Sequence, residues 1–381
     1  MSVTIKAIGE NDKKLKKAFV KFPINLYKDC AYYVPSLVLD ELDTLNTKKN
    51  PAFDFCEMQL FLAYRNDEIV GRIAAIINNN ANKIWNKKEA RFSFVDFIDD
   101  NEVVDALFYA AEKWAKGKGM DSIIGPMGFT DLDPEGLLIK GFDQVSTMAA
   151  KYSFPYYEKH IERMGYEKDA DWKEFRIPVP DSVPERHQRI ANMVAQRYGL
   201  KLLKFENYKQ IEPYIGKLFH CLNEAYKPLY GFSSLTQRQI DHYVKMYVPL
   251  LRWDIVQIVI KEETDEVVGF GVSIPSMSDA LIKSRGKLFP FGWFHLLKAL
   301  KSKKNPVVDL MLMGILPEYQ GKGVNAIIFS DFIPSAHKSG FKFAESNPEL
   351  EMNNKMVSLW DGFNAENHKM RRAYKKHFAK I

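Results

Sequence analysis

The residues best equipped for chemistry are Gln320-Gly321-Lys322-Gly323-Val324-Asn325, where two glycines flank a lysine within a short turn. Glycine adopts positive φ readily and lets a ligand approach the backbone closely. The free N–H groups that open a helix, at the positive end of its dipole, attract an anion. Lys322 adds a mobile cation. The chemistry this suits is the grip of a phosphate or pyrophosphate. Two other phosphate loops are excluded, because the turn has neither a Gly-Lys-Ser/Thr ending nor G-x-G-x-x-G spacing.

Such a turn works only if a strand delivers it and a helix receives it. The apolar run 307–315 (V-V-D-L-M-L-M-G-I) predicts the strand, and Val324, Ile327, Ile328 and Phe332 carry the spacing of one buried helix face. Pro334 should kink that helix and Gly340 should stop it. A strand over 341–345, a helix over about 351–363 and a last strand over 368–378 are expected next. Upstream, 255–260 and 267–274 read as a hairpin joined by a polar turn.

The chain repeats itself. Asp67-Glu68-Ile69-Val70-Gly71 recurs as Asp265-Glu266-Val267-Val268-Gly269, an offset of 198 residues. The helix-ending residues Gly165 and Asn364 are 199 apart. A period this long signals duplicated domains rather than a solenoid. Three prolines in Pro178-Val179-Pro180-Asp181-Ser182-Val183-Pro184 favour extended chain, so domains over 1–180 and 181–381 are expected. In each, the order of helices and strands suits a three-layer α/β fold with a mixed sheet.

Bulk properties set the surroundings. The 381 residues are 46% hydrophobic and 27% charged, as in a soluble globular chain of two domains. A formal charge of +6 suits an anionic cofactor and does not argue for nucleic acid as a partner. Cys30, Cys56 and Cys221 lack metal or redox spacing, so no metal site is expected and a reducing cytoplasm fits best. The N-terminus has no apolar signal core, and no window reaches about 18 uncharged apolar residues.

The turn Gln320–Asn325 resembles the pyrophosphate loop Q/R-x-x-G-x-G/A of the GNAT superfamily of acyl-CoA N-acyltransferases, with Asn325 where the family has Gly or Ala. The run Asn353-Asn354-Lys355-Met356-Val357-Ser358-Leu359-Trp360-Asp361-Gly362-Phe363-Asn364-Ala365 is similar to the family's N-x-x-(A)-x-x-L-Y-E-K-L-G-F helix in register. The segments Gly125-Pro126, Glu135-Gly136-Leu137-Leu138-Ile139-Lys140-Gly141-Phe142, Pro155-Tyr156-Tyr157 and Gly165-Tyr166 resemble an uncharacterised bacterial group of tandem GNAT-like proteins. The fold implied is two tandem GNAT-like three-layer α/β/α domains with mixed sheets. In the first, the strand over 91–98 runs into Asp99-Asp100-Asn101-Glu102-Val103, whose charge repels a pyrophosphate. The resemblance therefore places coenzyme A in the second domain.

The activity implied is N-acyltransfer, chiefly N-acetyltransfer, from acetyl-CoA or another acyl-CoA to a small-molecule or peptide amine by direct attack. Gln320, Gly321, Lys322, Gly323, Val324 and Asn325 would hold the pyrophosphate, and Met313, Gly314 and Ile315 would pair with the pantetheine arm. Asn353 or Asn354 would hydrogen-bond that arm, or serve as helix-surface polarity. Glu345 and Glu351 are the candidate bases, with surface or helix-end charge as the plainer role. Tyr226, Tyr230 and Phe232 are candidate acceptor contacts, or packing. Trp360 replaces the family's thiolate-protonating tyrosine and either packs or flanks the acyl group. A thiol of pKa about 8.5 leaves tolerably as thiolate without an acid.

The insert over 287–304 (K-L-F-P-F-G-W-F-H-L-L-K-A-L-K-S-K-K) is a basic amphipathic stretch. It packs against the first domain, covers an acyl chain as a lid, or makes a peripheral membrane contact. Two rival functions stand beside acyl transfer. One is aminoacyl transfer from charged tRNA, against which the intact loop and the lack of a strong basic patch argue. The other is a non-catalytic coenzyme-A-binding or scaffold role.

Overall fold

The computed structural model describes residues 2–353, 356 and 358–379, with the side chain of Ser358 left aside. The chain divides into two compact units. The first is Met1–Lys173 with Ser278–Leu296 and His368–Ile381, and the second is Glu174–Met277 with Leu297–Asn367. This corrects the simple break near residue 180. The physical reason is the last strand, whose Ala373 and Tyr374 are fully buried and which pairs with a strand of the first unit.

In the first unit the sheet runs β1 (Thr4–Ile8), β2 (Cys56–Arg65), β3 (Glu68–Asn78), β4 (Glu89–Phe97), β5 (Ser122–Gly125), β14 (Glu366–His377) and β7 (Glu167–Pro178), with β6 (Leu137–Lys140) also on β14. Neighbours are antiparallel from β1 to β4, β4 and β5 are parallel, and β14 returns antiparallel beside β5. The helices α1 (Lys13–Leu26) and α4 (Asn101–Gly117) cover opposite faces. A Cβ at Gly71 would meet Leu107 and Val103 of α4, whereas the next residue, Arg72, bonds to the Phe19 carbonyl of α1 at 3.0 Å. The remaining helices are α2 (Val38–Thr44), α3 (Asn79–Ile84), α5 (Tyr156–Arg163) and α9 (Ser278–Ser284).

In the second unit the order is β8 (Leu200–Leu203), β9 (Val256–Lys261), β10 (Glu266–Pro275), β11 (Val307–Ile315), β12 (Phe343–Ser346) and then the end of β7, on which β13 (Glu349–Leu350) also pairs. Along the path from β8 to β7, β11 and β12 are parallel and the other neighbours antiparallel. The helix α11 (Val324–Lys338) lies over Gly269 and Gly271 of β10 and packs on α6 (Glu185–Tyr198), while α7 (Tyr208–Tyr226) packs on β10 and β11. The helices α8 (Gln237–Tyr247) and α10 (Gly292–Lys301) complete the set. Phe175, Ile177, Val308, Phe329, Phe332, Phe341, Trp360 and Phe363 are buried in the core on the α11 side.

The duplication is visible at the level of single hydrogen bonds. Gly71 pairs with Phe97 in the first unit, and Gly269 pairs with Ile315 in the second. One residue earlier, Val70 and Val268 fall where the hairpin register slips. Their carbonyls accept from Ile98 at 3.1 Å and from Leu316 at 2.9 Å respectively. Both units are three-layer α/β/α domains with mixed sheets.

Candidate functional site

In both units the fourth strand of the fold outruns its parallel neighbour. β4 pairs with β5 only over Glu89, Ala90 and Arg91 and continues to Phe97; β11 pairs with β12 only as far as Leu310 and continues to Ile315. In β11 the departure begins at a bulge, because Val272 opposes Leu312 and Ser273 opposes Leu310, leaving Met311 unpaired. A bulge bends the strand and re-aims its groups. The result is an opening in the sheet into which backbone donors and acceptors face.

The two units treat that opening differently. In the first, the Tyr156 hydroxyl donates to the Phe97 carbonyl at 2.7 Å, and the Phe97 N–H donates to the Tyr157 hydroxyl at 3.0 Å. At the adjoining helix start, the Asp100 carboxylate accepts from the Val103 N–H at 3.2 Å and binds Arg65 at 2.7 Å. The strand edge and the anion end of α4 are thus both occupied by the chain's own side chains.

In the second unit the helix start is left open. Gly321 and Gly323 adopt φ of 73° and 88°, and α11 begins at Val324 with no side-chain cap. Among the described residues, the amides of Gly321, Gly323, Val324 and Asn325 donate to no carbonyl or side chain. Several N–H groups at one helix start form an anion cradle. Lys322 lies over the rings of Tyr198 and Tyr319, 5.2 and 5.5 Å from their centroids, which holds its ammonium beside the turn. Gly323 has a second duty: a Cβ there would come within 2.9 Å of Ile190 on α6. Gln320 pins the turn to the strand, its side-chain amide donating to the Ile315 carbonyl at 3.1 Å.

Along β11, Tyr226 at the end of α7 donates to the Met313 carbonyl at 3.1 Å, and its ring meets Phe232 edge-on at 5.8 Å. By strand alternation this leaves the N–H groups of Met313 and Ile315 facing the opening. Gly314 serves packing, since a Cβ there would lie 2.5 Å from the Phe270 ring. Tyr230 is half-buried in the turn after α7.

Past the end of β12 the Asn347 side-chain N–H donates to the carbonyl of the bulged Met311 at 2.6 Å. Its buried Oδ1 receives no hydrogen bond among the described residues. A buried acceptor without a donor is costly, and an N–H on a bound molecule relieves that cost. Two residues on, the Glu349 carboxylate accepts from the Trp360 indole N–H, at 2.9 Å to one oxygen and 3.0 Å to the other. Burial raises the Glu349 pKa to about 7, against the opposing pull of that indole and of Ser346. A carboxyl with a pKa near neutrality, fixed by a packed donor, can accept a proton at physiological pH.

Sequence reasoning chose other carboxylates. Glu345 is buried in the sheet and bonded by Arg176 at 2.8 Å, so it is a held ion-pair partner. Glu351 follows β13 and is half-buried. Asn353 uses its oxygen to accept from the Met356 N–H at 3.4 Å, a local turn contact, and Asn354 lies outside the described residues. Trp360 packs against Phe329 and Phe363 while it orients Glu349. The missed residues are Asn347 and Glu349. Their signal was Ser346-Asn347-Pro348-Glu349, a proline-broken polar turn directly after a buried strand.

The only cysteine among the described residues of this unit, Cys221, is buried, which pushes its thiol up to about 12. It is no thiolate nucleophile. Among the described residues no group of His, Cys, Asp or Glu is arranged to hold a metal ion.

No family model matches the chain. It is 29% identical over 375 residues to protein YghO of Escherichia coli (strain K12), covering 97% of this chain and 94% of that protein. It is 28% identical over 366 residues to bacterial ceramide synthase of Caulobacter vibrioides (strain NA1000 / CB15N), covering 94% of each. Among solved structures, a tandem GNAT protein from the clavulanic acid biosynthesis pathway aligns over 100% of both chains with a TM-score of 0.58 and 9% identity. A GCN5-related N-acetyltransferase from Sphaerobacter thermophilus aligns over 98% of this chain and 95% of that one, with a TM-score of 0.50 and 10% identity. These likenesses give the fold, a tandem pair of GNAT-like domains.

Proposed function

We propose that this tandem GNAT protein is an acyl-CoA-dependent N-acyltransferase whose second unit binds coenzyme A and performs the transfer. One observation carries the reading: the second unit alone pairs an open anion cradle at Gly321–Asn325 with a carboxylate, Glu349, whose pKa lies near neutrality. The residues fit the cofactor. The α11 amides and Lys322 would take the pyrophosphate, and the Met313 and Ile315 N–H groups with Asn347 Oδ1 would meet the amides and carbonyls of the pantetheine arm. When bound, the thioester supplies an activated carbonyl and a thiolate that departs without an acid at neutral pH.

The protein's own part is positioning and proton transfer. An acceptor amine must be neutral to attack and must shed a proton as the C–N bond forms. Glu349 takes that proton, and the Trp360 N–H stabilises the carboxylate before it does so. Tyr226, Tyr230 and Phe232 would bound the acceptor side. A ceramide is a long-chain amino alcohol bearing a fatty acid in amide linkage. The likeness to a ceramide synthase over almost the whole chain therefore favours a long-chain amino alcohol as acceptor and a long acyl group over acetyl.

Calorimetry with acetyl-CoA and with palmitoyl-CoA, followed by free-thiol release across a panel of amines, tests this. The expected result is binding of both and thiol release fastest with palmitoyl-CoA and a long-chain amino alcohol. Absence of binding at millimolar ligand sinks the reading. Binding without thiol release from any amine would leave a coenzyme-A-binding protein that is not an enzyme.

A further inference from the structure

The stretch between β10 and β11 is unlike the rest of the surface. From 280 to 308 there is no Asp or Glu, while Lys283, Arg285, Lys287, Lys298, Lys301, Lys303 and Lys304 all fall within it. Without these seven, the chain carries 47 basic residues against 48 acidic ones. The formal charge of +6 is therefore the property of one segment.

The same segment displays its apolar side chains. Phe289 and Phe291 are 68% and 70% exposed, and Trp293, Phe294 and Leu297 are 45%, 53% and 43% exposed. Large aromatics of a soluble chain are rarely left so open in a contiguous run. On α10 the outward residues are Trp293, Phe294, Leu297, Lys298 and Lys301, so one helix face passes from aromatic to cationic along its length. The Trp293 indole N–H is satisfied by the Pro290 carbonyl at 2.9 Å, which leaves the ring free of any polar demand outward.

We infer that residues 283–304 dock the protein on the surface of an anionic lipid bilayer. The aromatic tip enters the region between headgroups and acyl chains, and the flanking lysines meet the lipid phosphates. Charge complementarity selects this occupant. A nucleic acid would engage the cations and gain little from exposed phenylalanines, whereas a second copy of the segment would set its cations against their like. The contact is superficial, since α10 has ten residues and no helix among the described residues is long and apolar enough to cross a membrane. The inference does not depend on the acyl-transfer reading.

The test is co-sedimentation of the full chain with vesicles of phosphatidylcholine alone and of phosphatidylcholine mixed with phosphatidylglycerol. Two variants are compared, F291S/F294S and K298E/K301E, both on exposed positions and both checked for an unchanged melting curve. The wild type should sediment with the mixed vesicles and much less with the neutral ones, and each variant should lower the bound fraction about tenfold. Tryptophan fluorescence should be quenched by brominated acyl chains in the wild type and less so in Trp293→Phe. A wild type that stays in the supernatant overturns the inference. So does binding that survives F291S/F294S while K298E/K301E abolishes it, which marks a polyanion surface. A wild-type dimer that F291S/F294S converts to monomer overturns it in favour of self-association.

Discussion

Glu349 owes its character to two opposed influences, burial that favours the protonated form and an indole N–H that favours the ionised one. If it takes the proton from the acceptor amine, the rate must rise as pH increases through about 7, because only the carboxylate can accept. Glu349→Gln should lower kcat by roughly 10²–10⁴-fold and remove that acid limb from the pH–rate profile. Trp360→Phe keeps an apolar ring but deletes the donor, so the carboxylate loses support and the acid limb should move to higher pH. A pH profile unchanged in both variants would assign the proton transfer elsewhere. At this scale the sequence was only half informative. Trp360 could be recognised as a departure from the family tyrosine, yet its partner could not, because that contact depends on how the turn after β12 folds back. Glu345 drew attention by its place at a strand end, where it meets Arg176 across the sheet. Carboxylates look alike in a sequence; their partners decide what they do.

At the scale of elements, two helix starts in equivalent places have opposite chemistry. α4 begins under the carboxylate of Asp100, while α11 begins at a left-handed glycine with its amides open. Lys322→Glu should weaken acyl-CoA binding by about tenfold or more, since a charged hydrogen bond is worth about 1.5–3 kcal/mol, and should leave the melting temperature unchanged. Gly323→Ala should behave differently. A Cβ at φ 88° and 2.9 Å from Ile190 combines backbone strain of about 1–2 kcal/mol with overpacking of about 1–3 kcal/mol. Thermal melts of the two variants, read beside calorimetric binding, separate an electrostatic role from a structural one. The elements themselves were largely legible. The strand Val307–Ile315 and the helix Val324–Lys338 follow their apolar periods, and the hairpins follow their polar turns. The bulge at Met311 was not legible, because nothing in V-V-D-L-M-L-M-G-I marks which residue drops out of register.

At the scale of the molecule, the repeat was readable but the division was not. Sequence offsets report ancestry of segments, whereas a sheet is completed by whichever strand reaches it. β14 lies between β5 and β7 in the first unit's sheet, with Arg372 bonded to Asp171 at 2.7 Å. A chain ending at residue 365 should therefore lose the fold of its first unit although every residue up to Lys173 is present. Residues 1–180 expressed alone should be insoluble or molten, as read by near-ultraviolet circular dichroism and limited proteolysis. A cooperative melt from either fragment would contradict this. The strand order also has a consequence for synthesis. β7 ends at Pro178 and β14 begins at Glu366, 188 residues later. At about 5–20 residues per second the nascent chain waits roughly 10–40 s between them. Throughout that interval β5 and β7 have open edges, the kind of surface that recruits foreign strands. The first-made half thus stays unfinished while most of the second is synthesised, and those seconds are when its open edges need shielding.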